Sequence, residues 1–351
     1  MASGSPAESF DRCAAPDGGS APRRRVIDVL QAGRAVAALA VVVHHAAAST
    51  ETFTKGIPSG LQWLASYGYL GVDFFFVLSG FIIYHTRGND LGRYARSRLA
   101  RIFAPYLPVG VGIALAYTLF PHLSAGTRQW SWLATLTLLP VGRPALIVAW
   151  TLQYELAFYF VFGLFFLRPI RGMIGFAVLA AIGSLWSREL LLVPEFLFGV
   201  LAAVAVERGW GKLPLLFACA VFATYCVVGE RILFGLTMAF LVVGLVRAES
   251  SGRLRTPQLL SFLGAASYSI YLVHNPLCAL AARLFDSWLL AFVSALLVGT
   301  IGGVAYHLLI EVPLLRLLRP RSRAPFQREA PPLHDLLQAH TEHPSLGRRD
   351  A

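Results

Sequence analysis

Arg34 and His45 stand eleven residues apart in IDVLQAGRAVAALAVVVHHAAA, a stretch otherwise too apolar to hold a cation and a titratable ring without a reason. An imidazole, with its pKa near neutrality, is the commonest general base, and a guanidinium fork suits phosphate or carboxylate oxygens. On an α-helix each residue advances about 100°, so eleven steps bring His45 to within roughly 20° of Arg34 and about 16 Å further along the axis. His44, at ten steps, points roughly 80° off that face. One helix face thus carries a cation near one end and an imidazole near the middle. In hydrocarbon, where such groups are costly, the default reading of that pair is a functional site.

Four other stretches set polar groups among apolar ones, and each also has a plain structural reading. In GVDFFFVLSGFIIYH, Asp73 and Ser79 are substrate-binding candidates; equally, Asp73 is an interfacial acid and Ser79-Gly80 a notch for helix packing. In RSRLARIFAPY, Arg98 and Arg101 lie three apart on one helix face, either to grip phosphate or only to orient the loop. AWTLQYELAFYF puts Glu155 about 13 Å into its segment, where a carboxylate must be paired, protonated or facing a wet cavity. It is a second catalytic candidate or half of a structural ion pair. SYSIYLVHNPL brings Tyr268 and His274 together with Ser267, Ser269 and Tyr271, a hydroxyl-rich patch that can line a sugar-binding cavity or tie helices together. Glu311, before Val312-Pro313, reads as a salt bridge or cap, and His44, His85, His122 and His307 as structural or interfacial. Glu195, beside Pro194, is open between the two readings.

These side chains need a scaffold, and the composition says which kind. Hydrophobic residues make up 56% of the 351 and charged ones only 14%, with a mean hydropathy of +0.61. The expected fold is therefore an all-α integral membrane protein. Apolar stretches fall near 27–49, 66–86, 102–120, 146–167, 172–187, 190–206, 213–229, 232–246, 259–284 and 288–310, which suggests about ten transmembrane helices. The segment 131–140 is too short to span and reads as re-entrant or interfacial. With both termini cytoplasmic, 23 of the 30 Lys and Arg fall on the cytoplasmic side, and Lys55, Arg128, Arg143, Arg188, Arg231 and Arg283 lie at outer loops. The net charge of +11 is spread over short inner loops, so it orients the chain towards anionic membrane lipid and implies no nucleic-acid partner.

Residues 1–25 and 319–351 lack an apolar period and read as disordered cytoplasmic tails around a membrane domain at 26–318. No cleavable signal peptide is visible. Cys13, Cys219, Cys226 and Cys278 form no CxxC, so neither a disulfide framework nor a zinc site is expected, and no metal cofactor is implied. Phosphate-loop, GxSxG, HExxH and Rossmann signatures are all missing, which disfavours ATPase, serine hydrolase and zincin readings.

Taken in order, the Arg34-x10-His45 pair, GVDFFFVLSGF, Arg98-x2-Arg101 leading to Pro105-Tyr106, AWTLQYELAFY, SYSIYLVHNPL and EVPLLRLLR resemble the membrane acyltransferase 3 family. The resemblance runs from about Ile27 to Leu318, and LQAGRAVAALAVV with FVLSGFIIYH looks most like the exopolysaccharide production branch. It implies a bacterial inner-membrane O-acyltransferase moving an acyl group, usually acetyl, from cytoplasmic acyl-coenzyme A to a hydroxyl of an exopolysaccharide or its lipid-linked repeat unit. On that reading His45 is the general base or a covalent acyl relay, and Arg34, Arg98 and Arg101 hold the donor's phosphates. Glu155 orients the imidazole or stabilises its protonated form. The chain reads as the membrane domain alone, so acceptor-selecting or polysaccharide-assembly proteins would be separate partners. The competing reading is a transporter of a glycan intermediate or a proton-coupled solute, because buried acids and imidazoles also serve proton relays. A non-catalytic assembly partner of a polysaccharide machine comes last.

Overall fold

The computed structural model describes residues 28–54, 56–87, 90–121, 129–166, 168–183, 190, 192–210 and 213–318. The two expected tails, Cys13, Lys55, His122, Arg128, Arg188 and Lys212 lie outside the described residues. Within them every regular element is helical: α1 (Asp28–Thr54), α2 (Ser59–Ser66), α3 (Gly71–His85), α4 (Leu91–Leu119), α5 (Trp132–Thr137), α6 (Trp150–Leu164), α7 (Pro169–Gly183), α8 (Val193–Glu207), α9 (Pro214–Val228), α10 (Arg231–Ser250), α11 (Gln258–Ala282), α12 (Trp288–Tyr306) and α13 (Val312–Leu318). A 3-10 turn, Tyr67–Leu70, joins α2 to α3, another, Ile147–Ala149, leads into α6, and a π-helical turn, His307–Glu311, separates α12 from α13.

Each of the ten apolar stretches read from the sequence coincides with a helix. Six helical runs among the described residues are long and apolar enough to cross a membrane: 28–54, 59–85, 91–119, 147–164, 231–250 and 288–318. α7, α8 and α9, at 15 residues each, fall short of the roughly 20 that a perpendicular span needs. α11 is long enough at 25 residues, but its serines, tyrosines and histidine lower its hydropathy because they serve the interior. The stretch 131–140 folds back instead of spanning. Its six-residue α5 ends at Leu138 in the left-handed region (φ 55°), and the Gln153 amide donates to the carbonyls of Leu139 and Gly142.

The core is built by close backbone approach. α1, rich in alanine, packs chiefly against α11, α11 against α12, and α3 against α8. At the α3–α8 crossing the glycines are reciprocal: a Cβ on Gly80 would lie 2.0 Å from the Phe196 carbonyl oxygen, and one on Gly199 would lie 1.8 Å from that of Val77. Both distances are far inside van der Waals contact, so any side chain there drives the helices apart. Ser79-Gly80 is therefore a packing notch as well as a polar position. Between α11 and α1, Gly264 does the same against the Gln31 carbonyl oxygen, at 2.0 Å. The first helix, which carries Arg34 and His45, is thus clamped directly to the one that carries Tyr268 and His274.

Candidate active site

His45 faces inward from the middle of α1, beside the fully buried His274 of α11. The two rings meet edge to face, with centroids 4.9 Å apart and His274 Nε2 3.3 Å from His45 Nδ1. Each ring also turns its Nδ1 towards the carbonyl one helical turn back, His45 to Val41 at 3.0 Å and His274 to Ile270 at 3.0 Å. A carbonyl only accepts, so both Nδ1 atoms carry the proton. Nε2 of His274 is then a lone pair able to share the His45 Nδ1 proton, and Nε2 of His45 is the basic nitrogen. His44 turns its Nδ1 to the Ala65 carbonyl at 3.1 Å and flanks the pair, its ring 5.0 Å from that of His45.

Glu155 sits on α6, where its Oε1 accepts from Ser79 Oγ of α3 at 3.2 Å and from the hydroxyl of Tyr159, one turn further on. Its hydrogen bonds therefore go to hydroxyls and not to the His45 ring. The arginines gather around that carboxylate. The Arg98 guanidinium donates to Thr86 Oγ1 at 2.6 Å and stands 5.9 Å from the centres of both the Tyr94 and Tyr159 rings, and its buried Nε has no partner among the described residues. Arg34 is buried at 8% exposure, with Gln31 Oε1 at 3.4 Å, and it lies in the field of Arg101, Glu311 and Glu155. Arg98 thus keeps one unsatisfied guanidinium donor, and Arg34 lies within the field of Arg101, a constellation suited to anionic oxygens.

Two substrate-binding candidates have partners that define them. Asp73 is fully buried and held by Arg231 of α10 through a two-pronged ion pair, Nε to Oδ1 at 2.6 Å and Nη2 to Oδ2 at 3.0 Å. The Tyr268 hydroxyl donates to the Ile102 carbonyl at 2.9 Å, next to Arg101. The Tyr306 hydroxyl likewise donates to the Pro105 carbonyl at 2.7 Å, so tyrosines from α11 and from the end of α12 both reach the backbone of α4 here.

Three features were not singled out as site residues from the sequence. Glu311, in the π turn, is buried and accepts from Ser269 Oγ at 2.6 Å, with His307 Nδ1 at 2.7 Å, which ties the end of α12 to α11. The sequence signal was an acid and a histidine four apart, a spacing that an α-helix and a π turn read differently. Tyr159 supplies the second hydroxyl to Glu155, and Arg231, counted among outer-loop basic residues, is the counter-ion of Asp73. The first pairing has a local signature, since Glu155 and Tyr159 lie four apart on one helix, and the second, across 158 residues, has none. Tyr271 completes the wall beside His274, its hydroxyl 2.9 Å from Thr151 Oγ1 and bonded to the Val148 carbonyl at 3.1 Å.

Comparison with known proteins identifies the family. Residues 27–308 match the acyltransferase domain model of the acyltransferase 3 family. The chain is similar to the exopolysaccharide production protein ExoZ of Rhizobium meliloti (strain 1021), 32% identical over 72% of this chain and 92% of that protein. It is also similar to the acyltransferase MdmB of Streptomyces mycarofaciens, 27% identical over 82% of this chain and 92% of that one. No solved structure matches it. The family match spans most of the chain and includes both histidines, both arginine groups and Glu155, so the protein belongs to the acyltransferase 3 family of membrane O-acyltransferases.

Proposed function

We propose that the protein transfers an acyl group, usually acetyl, from cytoplasmic acyl-coenzyme A to a hydroxyl of a surface glycan, with His45 as general base. The observation that carries this reading is that His45 Nδ1 faces both the Val41 carbonyl and His274, which leaves His45 Nε2 as the basic nitrogen. As the sugar oxygen attacks the thioester carbonyl carbon, Nε2 takes the hydroxyl proton; the carbon–sulfur bond then breaks and the imidazolium returns that proton to the departing thiolate. While the imidazolium exists, the lone pair of His274 accepts a hydrogen bond from its Nδ1–H and so holds the ring in place, the orienting part of what a carboxylate does in a catalytic triad.

Arg34, Arg98 and Arg101 bind the donor's phosphates, a role supported by the unpartnered Nε of Arg98 and the proximity of the other two. The roughly 16 Å along α1 between Arg34 and His45 is a distance that an extended pantetheine arm can bridge. Glu155, held by two hydroxyls, balances the arginine charge from the other side. Asp73, Ser79, Tyr268 and His274 position the acceptor's surroundings, Asp73 through its ion pair with Arg231. A glycan acceptor is favoured by the likeness to an exopolysaccharide production protein. For the chain as a whole we propose ten crossings of a bacterial inner membrane with both termini cytoplasmic, α7, α8 and α9 crossing as short helices within the bundle.

Purified protein incubated with radiolabelled acetyl-coenzyme A and candidate glycans should yield free coenzyme A and a labelled sugar. His45→Ala should lower that turnover by a factor of about 10² to 10⁴, the range for loss of a general base. Full turnover in the variant sinks the assignment, and solute uptake into vesicles without coenzyme A release replaces it with the transporter reading.

A further inference from the structure

Between α4 and α13 runs a groove of about 910 Å³ that the proposed reaction does not use. Its construction follows from residue spacing. Ala100, Ala104 and Pro108 recur every four residues, so they stack along one face of α4 and form a floor of small side chains. Leu314 and Leu318, also four apart, make one wall from α13. Arg96 heads the same row as the floor, four residues before Ala100, and is solvent-exposed at the mouth. The groove is thus an apolar trough with one cation at its end, in a helix that is long and apolar enough to cross a membrane.

Length selects the occupant. From Arg96 to Pro108 the helix rises about 18 Å. One leaflet measures about 15 Å of hydrocarbon and a little over 20 Å with its headgroups, so a phosphate on Arg96 would let a single acyl chain end near the bilayer centre. A polyisoprenyl carrier is much longer than one leaflet and outruns the lining, which on α4 extends from Arg96 to Val111. Charge makes the same choice, since a juxtamembrane arginine favours an anionic head.

We propose that this groove binds one anionic phospholipid from the leaflet on the Arg96 side, its phosphate against Arg96 and one chain along Ala100, Ala104 and Pro108. The proposal rests on the membrane reading of the chain and not on acyl transfer, so its readout is lipid retention and not activity. Native mass spectrometry of the purified full-length protein, with phosphatidylglycerol or phosphatidylcholine of matched chains added, should show one retained phosphatidylglycerol at about fivefold preference, the factor expected for one arginine near the surface. Arg96→Gln should keep the lipid and lose the preference, and inorganic phosphate should not displace it. Ala100→Trp should fill the floor and empty the groove of either lipid. Leu318→Glu, at an exposed wall position, gives a second variant that should reject phosphatidylglycerol if Ala100→Trp does not fold. Retention in both groove variants equal to wild type, an unchanged preference in Arg96→Gln, or displacement of the phospholipid by equimolar polyisoprenyl phosphate overturns the proposal.

Discussion

His45 can serve as a base in the proposed reaction because its two ring nitrogens have different partners. Nδ1 is committed to the Val41 carbonyl and to His274, and that commitment sets the tautomer which leaves Nε2 basic. In the proposed reaction His274 is a positioning residue, since it touches the His45 ring and would act through it. The consequence is measurable: His274→Ala should lower kcat by a factor of about 10 to 10³ with little change in the donor's KM, less than the loss in His45→Ala. His274→Gln, whose side-chain oxygen can accept from Nδ1, should recover part of the loss. Equal activity in the Ala and Gln variants, or a loss confined to KM, would show that the second histidine only packs. Arg98→Gln with Arg101→Gln should do the reverse and raise the donor's KM by about tenfold or more, because charge-assisted bonds to phosphate are lost while the base is untouched. An unchanged donor affinity rules out the phosphate role.

At the level of elements, the site depends on helices brought within backbone contact. α1 meets α11 over Gly264, and α3 meets α8 over Gly80 and Gly199. Gly80 adjoins Ser79, whose hydroxyl holds Glu155, so a shift of α3 moves that carboxylate. Gly80→Ala should cost about 1–3 kcal/mol as the added methyl meets the Phe196 carbonyl, and thermal unfolding in detergent should show a lower midpoint. An unchanged midpoint would mean that α3 and α8 relax apart without strain. The π turn at His307–Glu311 is the other local device. It adds a residue to one turn of the helix and so aims Glu311 at Ser269, on the helix that carries His274.

For the whole molecule, orientation in the membrane is the property on which the direction of transfer depends. In a chain with its four cysteines replaced by serine, Gly92→Cys before the arginine cluster and Ser287→Cys between α11 and α12 test it, both positions being exposed. An impermeant maleimide applied to intact cells should label Ser287→Cys and reach Gly92→Cys only after permeabilisation; labelling of both from one side contradicts the proposed orientation. Much of this molecule was legible along the chain. Hydrophobic runs mark helices because burial in lipid demands them locally, and a face shared by Arg34 and His45 follows from helical rotation alone. The fold-back at 131–140 was readable too, since its length forbids a span. What the tertiary structure decided is which groups touch. His274 reaches His45 across 229 residues, Arg231 reaches Asp73 across 158 and Ser79 reaches Glu155 across 76. No periodicity encodes such pairs, because helix order in a bundle is set by glycine notches and packing between distant segments. The sequence alone thus determined the helices and the residue types on their faces, while packing assigned the partners of Asp73, Glu155 and Glu311 and turned one histidine on α1 into half of a pair.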